Sequence, residues 1–479
     1  MIKEIPLIVD LDGTLIFSDT LYETFLFALK KNFLVFFFSL FWVLRGKAFL
    51  KSKLANLSVN FDPLLLPYNT NFIKWVKLEK KKNRRVILCT AAHNIIAAKI
   101  AKHLGFFDEI ISTNDNLNLS GKEKAKILSG RFGSRGFDYA GNSFSDIHIW
   151  KIARYAYGVN VNNFLVKHFQ NKFRFSFLFT RSSNILLESF SALRPYQWVK
   201  NLILLIPLFA SHQFFNFTLW YDLLIAFFSF SFCASAVYIF NDFIDIESDR
   251  QHVRKKNRPF ASGQLPIVNG FFIALILLAA SFTLAFILNG YFKYWLLLYF
   301  ALTCTYSLFI KQIVLLDCVF LSLLYTVRIV AGGEATHLIS SFWLLAFSVF
   351  LFLSLAFVKR YAEIEISPPH TGQQTLKGRG YYSSDAGLIR TFGVASGYSA
   401  TLILALYLNS DTVSSLYLCP YFIWADVPIL LFWISWMWLK AHRGEMHDDP
   451  IIFAIKDKIS VFSGLFFALF LFFGTLNIS

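Results

Sequence analysis

Charge is scarce in this chain, and negative charge is the scarcer kind. Only 16% of the 479 residues are Asp, Glu, Lys or Arg, with 46 basic side chains against 30 acidic ones and a formal net charge of +16. With 56% hydrophobic residues and 57 Phe, the composition lies well off the soluble-domain average and excludes an ordinary soluble protein. Cysteine is also rare. Cys89, Cys233, Cys304, Cys318 and Cys419 are odd in number and never spaced Cys-x-x-Cys. That excludes a disulfide framework or a zinc site and leaves small buried hydrophobes. No signal peptide is read at the N-terminus, because Glu4, Asp10 and Asp12 interrupt the only apolar stretch there, so a cytosolic N-terminal domain is expected. No nucleic-acid partner is expected.

The apolar residues are unevenly spread. Residues 1–165 mix charge and hydrophobe as a soluble α/β domain does, 166–190 form a basic juxtamembrane linker, and 191–479 hold the long apolar blocks. The linker carries Lys167, Lys172, Arg174 and Arg181 among phenylalanines, a pattern suited to anionic headgroups. Nine blocks of near-spanning length fall at about 201–218, 220–240, 268–288, 291–310, 313–332, 341–359, 391–409, 419–439 and 458–477. Arg250, Arg254, Lys255, Lys256, Arg258, Arg360, Arg390, Lys440 and Arg443 lie in or beside alternate loops, and the opposite loops hold almost no Lys or Arg. Positive-inside bias puts the basic loops in the cytosol and the chain in the cytoplasmic membrane. The run 33–44 is too short to span and is either a buried core helix or an interfacial one; Lys30, Lys31, Arg45 and Lys47 around it favour membrane contact.

Against this basic background, residues 241–249 read Asn-Asp-Phe-Ile-Asp-Ile-Glu-Ser-Asp. On a helix turning about 100° per residue, Asp242, Asp245 and Asp249 fall within roughly 60° of one another. Three carboxylates beside a bilayer need neutralising, and Mg²⁺ with a diphosphate does so with carboxylate and phosphate oxygens together.

The N-terminal segment Pro-Leu-Ile-Val-Asp-Leu-Asp-Gly-Thr is an apolar strand ending in Asp10-x-Asp12. One carboxylate can attack phosphorus and the next can protonate the leaving oxygen, with Mg²⁺ screening the charge. The segment resembles motif I of the haloacid dehalogenase (HAD) superfamily. Thr90 at the end of Arg-Val-Ile-Leu-Cys-Thr, Lys124 (with Lys122 as the competing choice) and Asp146 after Tyr-Ala-Gly-Asn142 resemble its later motifs in order. The resemblance covers about residues 5–162. It implies a Rossmann-type phosphatase domain with a helical cap, Mg²⁺ on Asp10, Asp12 and Asp146, and phosphate on Thr90 and Lys124. Asn142 stands where many members have Asp, so a degenerate domain kept for docking or regulation is the competing reading.

Asn241-Asp242-x-x-Asp245-x-x-x-Asp249-Arg250, followed by Arg258-Pro259 and Ser262-Gly263, resembles the first aspartate-rich motif of the UbiA prenyltransferase superfamily, over about residues 190–479. That implies an all-α membrane bundle of about nine helices, with Mg²⁺ on the three aspartates. A second acidic pair is expected, yet the stretch 306–317 holds one acid, Asp317. Arg194-Pro-Tyr-Gln-Trp-Val-Lys200-Asn, Tyr306, Lys311, Asp317, Arg328 and Lys359-Arg360-Tyr361-Ala-Glu363 resemble instead the branch with decaprenyl-phosphate phosphoribosyltransferase. The resemblance implies phosphoribosyl diphosphate (PRPP) as donor and a polyprenyl phosphate as acceptor, with Lys200, Lys311, Arg328, Lys359 and Arg360 as phosphate ligands and Asn241, Arg250, Arg258, Tyr306 and Asp317 beside them. A HAD phosphatase could then remove the 5-phosphate. The rival readings are a prenyltransferase acting from prenyl diphosphate on an aromatic or quinone acceptor with a regulatory HAD domain, and a non-enzymatic scaffold or transporter.

Overall fold

The computed structural model describes residues 5–115, 117–161, 175–179, 184–288, 290–366, 379–410, 413, 416–446 and 449–476. Lys167, Lys172, Arg174 and Arg181 lie outside the described residues. The chain divides into two compact units, residues 1–193 with 239–273, and residues 194–238 with 274–479. The expected membrane domain of 191–479 is thereby split, because the segment carrying the acidic run groups with the N-terminal residues.

The first unit is built on six parallel strands in the order β3-β2-β1-β4-β5-β6. These are β1 (Leu7–Val9), β2 (Val86–His93), β3 (Glu109–Thr113), β4 (Asp138–Gly141), β5 (Ala156–Val159) and β6 (Phe175–Phe179). Strand β6 falls inside the stretch expected to be linker. Strand β1 is a short uninterrupted apolar run, as suits a strand covered on both faces. Its residues alternate sides: Leu7 and Val9 join one core with Phe72 and Ile96, whereas Ile8 joins another with Tyr139 and Trp150. Because β1 pairs with β2 on one side and β4 on the other, the strand order reverses at β1. The crevice at its carboxyl end is where such sheets place ligands.

Between β1 and β2 the chain inserts four helices, α1 (Thr20–Lys31), α2 (Val35–Leu44), α3 (Lys47–Leu57) and α4 (Thr70–Lys81). Asp19 caps α1 by accepting from the Leu21 amide, and Asn69 caps α4 by accepting from that of Phe72. The reading of α2 as a buried core helix is overturned. Val35 is its one buried residue, while Phe37, Phe38, Leu40, Phe41, Val43 and Leu44 are all at least half exposed.

Seven helices among the described residues are long and apolar enough to cross a membrane, and the protein is a multi-pass membrane protein. They are Phe217–Ile244, Ile267–Ile287, Leu316–Thr336, Phe342–Glu365, Ser383–Leu408, Pro420–His442 and Lys458–Thr475. Two of the nine expected spans differ. The block at 201–218 is broken into a 3₁₀ helix, Pro195–Leu205, and a five-residue helix, Ile206–Ala210. Pro195 and Pro207 lack the amide hydrogens that a continuous helix would use, and Arg194 enters with a left-handed φ of 53°. The block at 291–310 forms a 17-residue helix, Phe292–Leu308, slightly short of a span. Polar glue joins two of the long helices: the Ser229 hydroxyl donates to the Ser281 carbonyl at 2.9 Å and Ser281 returns the bond at 2.7 Å.

Candidate functional site

In the first unit, the end of β1 delivers Asp10 to the crevice, and α5 (Gly121–Phe132) delivers Lys124 to meet it. The Lys124 ammonium lies 2.6 Å from Asp10 Oδ1, with both side chains buried. Burial pushes the Asp10 carboxyl up to about 6 against the pull of Lys124. Burial, aided by Asp19 and Asp10, pushes Asp12 up to about 8, against hydrogen bonds from the Thr20 amide (2.8 Å) and hydroxyl (3.2 Å). Burial thus raises both carboxyls, Asp12 further than Asp10. Gly13 has a φ of +73°, and a Cβ there would fall 1.9 Å from Asn142 Nδ2, so this turn admits only glycine. The Thr14 hydroxyl is fully buried without a hydrogen-bond partner. Thr90 is buried at the end of its strand's core segment, where its hydroxyl accepts from the Ala92 amide at 2.9 Å.

Asp146, expected as a metal ligand, is buried among hydrogen-bond donors. Its Oδ2 accepts from the Asn142 amide and from the Ser143 amide and hydroxyl, and its Oδ1 accepts from the Tyr139 hydroxyl. Among the described residues, no three His, Cys, Asp or Glu side chains gather as a metal-holding group. The oxygen donors of Asp10 and Asp12 still fit a hard cation and its waters.

The acidic run lies in the same unit and is not one unbroken helix. Phe217–Ile244 ends just before Asp245, and Ile246–Gln251 starts after it. Asp245 donates its amide to the Asn241 carbonyl at 2.9 Å and is half-buried. Asp242 and Asp249 are buried and share one cation: Arg258 Nη1 lies 3.1 Å from Asp242 Oδ1 and 2.6 Å from Asp249 Oδ2. That guanidinium nitrogen stands where a divalent ion would, so these two carboxylates fit Mg²⁺. Arg250 turns instead to Glu23 of α1.

The second unit holds a cavity of about 320 Å³ lined by Arg194, Gln197, Lys200, Tyr238, Lys359 and Asp449, among others. Lys200 and Lys359 both donate to Asp449 Oδ2, at 2.7 and 3.1 Å. Burial would raise Asp449, but the two ammonium groups win and hold it well below the usual carboxylate range. Removing one member of such a set strands its partners and costs about 3–5 kcal/mol, so the three residues are fixed together.

The other expected phosphate ligands are occupied elsewhere. Arg328 donates to Asn201 Oδ1 (2.9 Å), the Leu324 carbonyl (2.5 Å) and the Tyr299 hydroxyl (2.9 Å). Arg360 has no exposed side-chain surface; its Nη2 lies 2.5 Å from Asp317 Oδ2, an ion contact outside hydrogen-bond alignment, and its Nη1 pairs with Glu363. Tyr381 donates to Asp317 at 2.5 Å, and Arg379 donates to Tyr306 at 3.2 Å. Lys311 sits in a short 3₁₀ turn, Ile310–Gln312. The structure thus brings Lys200 and Lys359 to one cavity and ties Arg328, Arg360 and Asp317 into internal networks. Asp449 and Glu23 were missed in the sequence, where each reads as an ordinary polar residue with no motif around it. Lys51 was missed as well: from α3 its ammonium reaches the Ala91 carbonyl at 2.7 Å and Asn118 Oδ1 at 3.0 Å.

Comparison with known proteins adds a family. The UbiA prenyltransferase family model matches residues 202–470. An uncharacterized protein of Sinorhizobium fredii (y4nM) is 36% identical over 97% of this chain and 90% of its own length. The decaprenyl-phosphate phosphoribosyltransferase of Mycobacterium tuberculosis is 33% identical over 42% of this chain and 68% of its own length. That of Corynebacterium glutamicum is 40% identical over 36% of this chain and 53% of its own length.

Proposed function

Because this chain belongs to the UbiA prenyltransferase family and is a transferase of it, we propose that it moves 5-phosphoribosyl from PRPP to a polyprenyl phosphate and then removes the 5-phosphate. The observation that carries this reading is the shared grip of Asp242 and Asp249 on Arg258. It marks a place where two buried carboxylates converge on one positive charge. The partial likeness to decaprenyl-phosphate phosphoribosyltransferases supports a sugar diphosphate as the donor.

In the transfer step, a lipid phosphate oxygen forms a bond to C1 of ribose as the C1–O bond to diphosphate breaks. The diphosphate leaves with its electron pair. Mg²⁺, when bound, stabilises the charge on that leaving group. Asp242 and Asp249, with Asp245 between them in the run, would hold the cation, and Arg258 would then be free to pair with diphosphate oxygens. Lys200 and Lys359 face their cavity as point charges for a phosphate, with Asp449 fixing their positions. The buried network of Arg360, Asp317, Tyr381 and Glu363 sets the direction of Lys359, the residue before Arg360.

In the second step we read the first unit as a HAD-type phosphatase. Asp10 attacks phosphorus, and Asp12 gives its proton to O5 of ribose as that P–O bond breaks. Water then hydrolyses the aspartyl phosphate. Mg²⁺, held by Asp10 with Asp12 in the same turn, would supply charge screening, and Asp146 orients the turn of Asn142 and Ser143. The exposed face of α2, bracketed by Lys30, Lys31, Arg45 and Lys47, lies in the membrane interface, so this site takes lipid-borne phosphate. A photoreactive side chain at position 41 in proteoliposomes is expected to crosslink to acyl chains; labelling that ignores lipid would place α2 in water.

The test of the whole reading feeds labelled PRPP and polyprenyl phosphate to membranes and follows lipid products by mass spectrometry. Labelled lipid-linked ribose with release of both diphosphate and phosphate is the expected result. Consumption of prenyl diphosphate in place of PRPP would decide for an aromatic or quinone acceptor.

A further inference from the structure

Within the unit formed by residues 1–193 and 239–273, the acidic run is fastened to α1 by a buried ion pair. Arg250 directs both arms at Glu23, with Nη1 3.0 Å from Oε2 and Nη2 2.7 Å from Oε1. Its remaining nitrogen, Nε, donates to the Ala261 carbonyl at 3.0 Å. The Arg250 and Glu23 side chains are 8% and 3% exposed, so this is no solvent-screened surface contact. A bidentate guanidinium–carboxylate pair also fixes orientation as well as distance. Arg250 adjoins Asp249, whose Oδ2 takes the 2.6 Å contact from Arg258. Lys30 reaches Glu247 at 2.9 Å, and a Cβ at Gly263 would fall 2.7 Å from that of Phe17. The segment is therefore held along its length by residues from the first 30 or so of the chain. The same helix starts at Thr20, which donates twice to Asp12.

We propose that Glu23, on the helix that begins at the phosphomonoester site, is a positioning residue for the transferase reaction: it fixes Arg250 and through it the carboxylate of Asp249. Glu23 touches no substrate. This rests on the reading that the acidic run holds the metal and diphosphate. It adds that this holding depends on a side chain outside the residues matched by the transferase family. Helix α1 thereby joins the two chemistries of the chain, with Asp12 bonded to its first residue and Asp249 set by its fourth.

The experiment uses the full-length chain in nanodiscs and has two readouts. One is Mn²⁺ binding in the presence of inorganic diphosphate, followed by electron paramagnetic resonance, with the fraction lost in Asp249→Asn defining the acidic-run site. The other is diphosphate release from PRPP. Glu23→Gln is expected to lower both by about 10- to 100-fold, as loss of a residue that orients metal ligands does. The exchanged pair, Glu23→Arg with Arg250→Glu, is expected to restore most of each. Two results overturn the proposal: Glu23→Gln indistinguishable from wild type in both readouts, or an exchanged pair that melts as wild type does yet restores neither. The second would mean that Arg250 meets substrate itself. Should the exchanged pair melt early, Glu23→Asp decides, since it keeps the charge: values well above those of Glu23→Gln support positioning, and equal values overturn it. Wild type that binds Mn²⁺ and diphosphate at the acidic run but releases none from PRPP would defeat the donor reading alone, leaving the Mn²⁺ titration to judge Glu23.

Discussion

Replacing Asp10 by Asn is expected to stop release of inorganic phosphate while release of diphosphate continues, so that polyprenyl-phosphoryl 5-phosphoribose accumulates in the membrane. The asparagine keeps the shape at the end of β1 and can still accept from Lys124, which lies 2.6 Å from Asp10 Oδ1. What it loses is the nucleophile. Loss of a nucleophile in a site whose parts act as a unit lowers turnover by about 10³-fold or more, far outside the error of a coupled phosphate assay. The split between the two products makes the result specific, because a folding defect would depress both. Phosphate release that survives unchanged would remove the second catalytic step from this chain and leave residues 1–165 a docking or regulatory body.

The second large effect is expected at Asp249. Asp249→Asn should reduce diphosphate release by about 10²- to 10³-fold, the loss typical when one group that stabilises developing charge is removed. The asparagine still offers Arg258 an oxygen, so the local fold is retained while one formal charge is withdrawn from the pair that grips Arg258. Phosphate release from a separately supplied lipid-linked phosphoribose should continue in this variant, the mirror image of Asp10→Asn. Diphosphate release within a few-fold of wild type would show that the run does not hold the leaving group.

Much of this was legible before any coordinates. The resemblance to the HAD motifs named Asp10, Thr90 and Lys124, and Asp10 at a strand end meets Lys124 from a helix. The long apolar helices were equally plain, since hydropathy alone reports them. What stays hidden is the set of partners that come from distant sequence. The resemblance implies phosphate roles for Arg328 and Arg360, and a bare charge such as Arg328 in an apolar stretch demands compensation. Asn201, Tyr299, Asp317 and Glu363 supply partners from within the protein. The spacing around Asp146 likewise shows an acid at a turn and not the four neighbouring donors around it. The grouping of 239–273 with the N-terminal residues left no trace in composition, because Glu23 looks like any acid in the first turn of a helix.

The cavity around Asp449 also has an order in time. Lys200 leaves the ribosome first, Lys359 follows, and the carboxylate that neutralises both arrives only with Asp449. Until then the nascent protein carries two ammonium groups that cannot be taken out of water. The membrane-crossing helices that precede Asp449 are therefore made before the cavity can close. A ribosome that stops shortly before Asp449 releases a protein whose two ammonium groups lack that carboxylate, a product that quality control would meet as an inserted but charge-frustrated membrane protein.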